Sequence, residues 1–541
     1  MTEAPPRFVD WLTTELARRG ARHAYGVPGG GISLDLLDAA KSAGIQPVIT
    51  AREDAAAMMA GVAGRLSHAP GLAFSTKGPG LASATNGLAS ALLDRMPVLF
   101  CAEGFDAEEL VFLSHQVFDQ AVLGQSLFGK VAGGKSTVLG SDQTAVTAAL
   151  DAMMTAPMGP ALLLADPKDF VSPGAPAAPS GRAEPVMDRA ALDRAAESVA
   201  GARRPIIVAG LDATVPGAAP ALQTLAEALG APVLVTYMSK GVVPDAHANF
   251  AGIFTGGAIE QACVNEADLI LLAGLDPVEL IRKPWPYTAP VVDICAVAHD
   301  PHYLTPAARV AGYLPTTLQA LVDVARPSDW TAAEIGVHRQ RFLAGMAIPP
   351  GEGLASDVVA EAVVAAFAAA GGKPRLTVDA GAHMFSACAF WQAEAPLDVL
   401  ISNGLASMGF SLPAAIAAAL HDPDRGAVAM TGDGGLLMCL GELKTAAETD
   451  ANICIVVFND ARLSLIDIKR EQRQMPDLGL AWRTPDFADV AQGFGFRVWR
   501  ASTAAEMQRA AKAAAETSGP RLIDARVDPS GYLAQLKALR G

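Results

Sequence analysis

Short apolar runs recur along this chain, bounded by Gly, Pro or acidic residues and followed by Ala-rich stretches of helical length. Runs of that kind predict buried strands, and their alternation with helices predicts parallel sheets covered on both faces. In the first block, from Phe8 to about Asp169, the predicted strands are 47–50, 71–75, 97–102 and 161–165. The second block carries 205–210, 232–236, 269–274 and 290–295. In the third, strands 427–431 and 452–458 flank a predicted helix over 436–449. The stretch 171–185, rich in Pro, Ala, Gly and Ser, reads as a linker, and 347–353 as a second break. The expected architecture is therefore α/β, with three doubly wound parallel-sheet domains at 1–170, 187–345 and 355–541. A chain of 541 residues needs several cores, since one rarely grows beyond about 250–300 residues. The first and third blocks are alike in size and pattern, which suggests paired domains, without a direct sequence repeat.

Composition narrows the class. A net charge of −15 argues against a nucleic-acid or anionic-membrane partner. No unbroken apolar run approaches the roughly 20 residues of a membrane span. The first residues lack a basic region followed by an apolar one, so secretion is not expected and the cytoplasm is. Six cysteines without CxxC or metal spacing read as small buried apolar residues, and nine histidines without an HExxH-like cluster argue against a zinc enzyme.

The most telling chemistry lies late in the chain. Gly432-Asp433-Gly434-Gly435 ends one predicted strand, and Asn459-Asp460 ends the next. Ends of neighbouring parallel strands return to one sheet edge, so the two aspartates converge there. Glycines let backbone N–H groups approach a phosphate, and two carboxylates with two phosphate oxygens nearly complete an octahedral Mg²⁺ shell. An ordinary crossover whose aspartates only cap and turn would read the same way in isolation. In the first block, Gly26-Val27-Pro28-Gly29-Gly30-Gly31 is either a plain strand-to-helix turn or a backbone surface pressed against a flat ligand. Glu53 follows a strand and enters an Ala/Met-rich helix. It either favours the helix N-terminus or is a desolvated carboxyl with a raised pKa, suited to proton exchange with a heterocycle.

Taken in order, these segments resemble the thiamine-diphosphate-dependent 2-oxo acid enzymes of the acetolactate synthase, pyruvate oxidase and benzoylformate decarboxylase group. The resemblance spans nearly the whole chain: Tyr25 to Gly30, the Glu53 segment, Thr76-Lys77-Gly78-Pro79-Gly80, Gly87 to Pro97 with Asp94, Gly159 to Asp169, Asp379 to His383, Gly404 to Pro413, and the two acidic motifs. It implies a pyrimidine-binding first domain, a central Rossmann-like domain and a diphosphate-binding third domain. It also implies thiamine diphosphate and Mg²⁺ as cofactors. By resemblance, Glu53 hydrogen-bonds the aminopyrimidine, whose imino form takes the thiazolium C2 proton. Pro28, Gly29 and Gly30 line the same side, and Gly30, His115 and Gln116 lie near the reacting centre. Met408, with Ala406 beside it, matches the apolar wedge that bends the cofactor, although a Met there also suits core packing. Ala380, Gly381, Ala382 and His383 match the segment touching the diphosphate, as do Gly432, Gly434 and Gly435, and Leu463, Ser464 and Leu465. His383 could equally be a structural donor. Asp433, Asp460 and the Arg462 carbonyl match the metal ligands, with the aspartates 27 positions apart. Several positions depart from the pattern. Asp460 stands for the usual Asn, Val117 for the acid after Gln116, Lys77 for a Ser or Gly, and Ser83 for an Asn. The family's geometry implies a homodimer or homotetramer with active sites between subunits.

The reaction is less sharply marked. Ile468 and Lys469 stand where flavin-containing acetolactate synthases carry Gln-Trp, and the stretch from Gly274 to Arg282 lacks their Arg-Phe-Asp-Asp-Arg signature. FAD is therefore not expected. The reading is an acetolactate synthase-like carboligase acting on a small 2-oxo acid. Alternatives are a 2-oxo acid decarboxylase, with His115 or Lys469 as the acid, or a 2-hydroxyacyl-CoA lyase. A third, an inactive structural homologue, sits badly with the retention of Glu53, Asp433 and Met408.

Overall fold

A computed structural model describes residues 6–106, 108–128, 138–173, 187–280, 285–299, 304–349, 351 and 353–541. Most of the predicted linker 171–185 lies outside the described residues. At its start, Phe8 N donates to Ser172 O at 2.8 Å.

The strands form three six-stranded sheets. The first holds β1 (His23–Val27), β2 (Gln46–Ile49), β3 (Gly71–Ser75), β4 (Val98–Glu103), β5 (Val138–Leu139) and β6 (Ala161–Ala165), in the order β2-β1-β3-β4-β6-β5. The second holds β7 (Pro205–Ala209), β8 (Val233–Val235), β9 (Phe250–Ile253), β10 (Leu269–Ala273), β11 (Val291–Cys295) and β12 (Ala308–Ala311), in the order β12-β11-β10-β7-β8-β9. The third holds β13 (Arg375–Val378), β14 (Val399–Ile401), β15 (Ala427–Gly432), β16 (Ile453–Asn459), β17 (Arg497–Ala501) and β18 (Arg521–Arg526), in the order β14-β13-β15-β16-β18-β17. Pairing is parallel, as in Ala24↔Leu72, Leu271↔Val292 and Leu376↔Val428. The first and third sheets share one strand order, and the second has the doubly wound order of dinucleotide-binding folds. The three α/β sheets foreseen from the apolar runs are thus present.

The chain condenses into two compact units. The first comprises Met1–Ala183 with Gly404–Gly426 and Met438–Ile453, and its core packs Phe8, Leu12, Leu72, Phe74, Leu99 and Leu163. The second comprises Glu184–Asn403, Ala427–Leu437 and Cys454–Gly541, and carries the second and third sheets. Two stretches from the third sequence block therefore belong with the first sheet. The cause is the helix Glu53–Ser67, buried almost throughout its Ala/Met/Gly run and packed against the helix Ser411–His421. Small residues permit that burial: a Cβ on Gly87 would sit 2.2 Å from Asp54 O, and one on Gly71 1.9 Å from Ala60 O.

One predicted element is corrected. The helix expected over 436–449 is two helices, Asp433–Met438 and Glu442–Glu448. The break falls at 439–441 and ends on Gly441, a poor helix former, where a Cβ would lie 2.8 Å from the Ala51 Cβ. All six cysteines are buried and none forms a disulfide, as their spacing suggested.

Candidate active site

In doubly wound sheets ligands settle outside the carboxyl ends of strands, where the strand order reverses. The first sheet reverses between β1 and β3. The turn after β1 carries Pro28, Gly29 and Gly30, and the turn after β3 carries Thr76, Lys77 and Gly78. A Cβ on Gly26 would meet Phe74 O at 2.3 Å, one on Gly29 the Thr76 Oγ1 at 2.3 Å, and one on Gly31 the Glu103 carboxylate at 2.3 Å. These glycines are demanded by the chain's own neighbouring strands. Gly30 alone in this turn opens onto free space.

Glu53 heads its helix and is half-exposed, so the expected desolvation is not supplied by its own unit. His115 and Gln116 are exposed, and Gln116 holds a left-handed backbone at φ 62°. Its carbonyl would lie 2.5 Å from a Cβ on Gly78, which ties this loop to the β3 turn. Two groups that the motifs did not single out, Glu103 and Gln120, organise the same edge, while Asp94 of the Gly87–Pro97 motif caps the far end of the helix Pro79–Leu93, ahead of β4. Glu103, buried at the end of β4, pairs with Lys77 at 3.2 Å. The buried Gln120 side chain donates to Glu103 O at 3.1 Å and accepts from Gly78 N at 2.8 Å. Asp94, buried, accepts from Gly404 N at 2.7 Å and from the Ser90 hydroxyl at 2.8 Å. Asp94 thereby anchors the turn holding Ala406 and Met408, helped by Asn86 donating to Ser407 Oγ at 3.1 Å. Ala406 is left-handed at φ 56°, a conformation a side chain adopts only when its surroundings impose it. Met408 is half-buried, which is not the environment of a core methionine.

In the second unit, the third sheet reverses between β13 and β15. Ala380, Gly381, Ala382 and His383 follow β13, Gly432 to Gly435 close β15, and Asp460 to Leu465 follow β16. Asp433 is buried and accepts from Gly434 N at 2.8 Å and Ala461 N at 2.9 Å. The second bond ties it to the turn carrying Asp460, whose carboxylate accepts from Arg462 N at 3.2 Å and from the Ser464 hydroxyl. Burial, and then the Asp460 charge, push the Asp433 carboxyl up to about 7. Burial also raises Asp460. Two crowded carboxylates in a poorly hydrated place are an arrangement that a cation relieves. Tyr532, fully buried, is held protonated by burial and then by the Asp460 and Asp433 charges.

His383 is buried, and burial pushes it down to about 4 although its ring bonds the Met430 backbone. It stacks 5.4 Å from the Phe458 ring, and its Nε2 has no partner. An orphaned buried nitrogen beside the Gly432 turn fits a bound polar group. Gly435 is equally constrained, because a Cβ there would lie 2.2 Å from Asp379 Oδ2, which accepts from Thr431 Oγ1 at 2.7 Å. Gly435→Ala is expected to lose about 1–3 kcal/mol of stability by overpacking, read as a lowered denaturant midpoint. An unchanged midpoint would show that Asp379 yields freely. These buried carboxylates, the orphaned imidazole and the tight glycine turn suit a metal-held diphosphate.

The central sheet differs. At its reversal between β7 and β10, Glu279 is buried and accepts from Leu211 N at 2.8 Å, Asp276 N at 3.1 Å and the Thr236 hydroxyl. Burial pushes this carboxyl up to about 8.

Three family profiles cover most of the chain in the same order. Residues 6–125 match the thiamine pyrophosphate enzyme N-terminal TPP binding domain, 192–321 the central domain and 379–525 the C-terminal TPP binding domain. The chain belongs to the thiamine pyrophosphate (thiamine diphosphate) enzyme family. Within it, the likeness is to acetolactate synthases. The chain is 26% identical over 540 residues to the acetolactate synthase of Bacillus subtilis, spanning 95% of this chain and 92% of that one. It is 29% identical over 550 residues to the catabolic acetolactate synthase of Raoultella terrigena, spanning 96% and 94%. It is also 28% identical over 538 residues to the probable 2-ketoarginine decarboxylase of Pseudomonas aeruginosa, spanning 95% and 93%. It is a thiamine-diphosphate-dependent, acetolactate synthase-like enzyme.

Proposed function

We propose that this enzyme is a Mg²⁺-dependent carboligase that takes pyruvate or a related small 2-oxo acid as donor and joins the remaining acyl unit to a second carbonyl compound. The observation that carries the reading is the Asp433–Asp460 pair, joined through Ala461 N–H, in a chain that aligns with acetolactate synthases over nearly its full length.

In this reading the first domain holds the pyrimidine and the third the diphosphate, with domain limits at 1–170, 187–345 and 355–541. Asp433, Asp460 and the Arg462 carbonyl hold Mg²⁺. The 380–383 and 432–435 turns and residues 463–465 surround the diphosphate. Glu53 would hold the pyrimidine side of the cofactor and exchange a proton there, and Ala406 and Met408 would support it. Gly30 leaves room for the reacting atoms, while His115 and Gln116 face the substrate. When bound, the cofactor supplies a nucleophilic carbon and a sink for the electron pair released on decarboxylation.

A homodimer or homotetramer is the working assembly, in which a second chain gives Glu53 the burial that its own unit lacks. Exposed apolar side chains at Val111 (73%) and Phe112 (92%) support an interface in that region. No flavin is assigned, because Glu279 already takes up the amides at the reversal of the central sheet. Among the described residues no helix is long and apolar enough to cross a membrane.

The test is to reconstitute the purified protein with thiamine diphosphate and Mg²⁺, supply pyruvate and identify the product by NMR. Acetolactate is expected. Acetaldehyde in its place would make the protein a decarboxylase, and tight cofactor binding without turnover would transfer the question to larger 2-oxo acids.

A further inference from the structure

Glu442 is fully buried, yet it lies in a short helix with no assigned part in the chemistry. Its Oε1 accepts from Ala51 N at 3.1 Å and from Arg52 N at 3.0 Å. Its Oε2 accepts from the Thr445 hydroxyl at 2.7 Å. The two amides belong to the residues immediately before Glu53, at the head of the Glu53–Ser67 helix. That helix has no side-chain cap of its own, since its N-cap is Arg52. The carboxylate that satisfies this end comes from 390 residues away in sequence.

The surroundings reinforce the grip. Gly441 leaves room for the approach to Ala51, and Lys444 Nζ donates to Ile49 O at 3.3 Å. Thr50 N donates to Gly26 O at 3.1 Å, and the Thr50 hydroxyl to Arg52 O at 2.9 Å. Every residue from Ile49 to Arg52 is thus held by a hydrogen bond, and the Glu53 Cα follows directly. A carboxylate removed from water is costly unless several donors meet it, and the unpaired amides of a helix N-terminus are suited to do so.

We propose that Glu442 is a positioning residue for Glu53, fixing the Ala51–Arg52 turn so that the Glu53 carboxylate points in one direction. The inference rests on the reading of Glu53 as the proton-exchanging group. The link is geometric, so it depends on the acceptor oxygens rather than on the charge. A glutamine keeps one oxygen for both amides and turns its NH₂ toward the Thr445 oxygen. An alanine leaves the amides unmet, and a misplacement of about 1 Å in a reacting group is enough to cost on the order of a hundredfold in rate.

The experiment compares Glu442→Ala, Glu442→Gln, Glu53→Gln and the double variant E53Q/E442A. In cofactor-free protein, hydrogen exchange at the Ala51 and Arg52 amides is expected to accelerate about tenfold or more in E442A and to stay near wild type in E442Q. With thiamine diphosphate and Mg²⁺ bound, C2 proton exchange is expected to fall about 10–100-fold in E442A, with kcat falling and KM unchanged. The double variant should be no slower than E53Q alone. Wild-type C2 exchange in E442A, or a further loss in the double variant, would overturn the proposal. E442Q as impaired as E53Q would do the same, since charge would then be at issue. Failure of the Glu53 reading has its own signature, which is normal C2 exchange in E53Q. If E442A does not fold, Thr445→Val frees Oε2 alone and is expected to give a severalfold fall in C2 exchange with the same unchanged KM. No fall there would count against the proposal.

Discussion

Glu53→Gln is expected to slow C2 proton exchange of bound thiamine diphosphate by about 10²–10⁴-fold, the usual reach of a positioned acid–base group. Folding and cofactor affinity should be nearly unchanged. Glu53 is half-exposed within its unit and stands at the head of a helix whose buried face lies further along, so an amide of the same shape disturbs no packing. The exchange rate is read by quenching the loaded enzyme in deuterated solvent and following the C2 signal by NMR. Exchange at the wild-type rate would remove Glu53 from its assigned role, whatever the enzyme's substrate.

Asp433→Ala is expected to abolish Mg²⁺-dependent retention of the cofactor, with affinity falling at least about a hundredfold. Two carboxylate oxygens disappear at once, and the amides of Gly434 and Ala461 lose their acceptor. The turn bearing Asp460 is then untied as well. A stability loss of about 1–3 kcal/mol accompanies this, because buried donors are left unmet. Titration calorimetry with and without Mg²⁺ separates the two effects, and unchanged Mg²⁺-dependent affinity would place the metal elsewhere.

The same aspartate sets a pH dependence with a definite sign. Its carboxyl is raised from 3.8 to about 7 in the folded protein, a value belonging to the coupled pair with Asp460. In the absence of a cation, the folded state holds a proton that the unfolded chain has released. That contribution to stability is complete below about pH 4 and is lost as pH rises through about 7. Asp433→Asn should flatten this part of the stability curve. On the proposed reading Mg²⁺ would displace the same proton, so its affinity is expected to rise with pH up to about 7 and then level off.

Much of the architecture was readable in advance because buried parallel strands leave a local mark. The runs at 71–75 and 161–165 became β3 and β6 with their limits intact. The strand before Asp433 gained only its closing glycine. The acidic pair was readable for a related reason, since strand ends in a parallel sheet return to one edge. Strands with mixed faces escaped notice. Arg497–Ala501, an edge strand with half-exposed positions, has neither a continuous apolar run nor a clean alternation. The close approach of Ala51 to Gly441 was invisible too, because the two lie far apart in the chain.

The linear order of residues determined the fold class, the three sheets, the glycine turns at the strand ends and the convergence of Asp433 with Asp460. Each of these follows from periodicity and chain direction, which are local properties. Tertiary structure alone decided that Glu103 pairs with Lys77, that Asp94 anchors the Met408 turn, that Glu279 meets the Leu211 and Asp276 amides and that Glu442 holds the head of the Glu53 helix. A lone carboxylate carries no local signal of its partner. Its protonation and its role are set by which donors the fold brings within about 3 Å and by how much water it excludes.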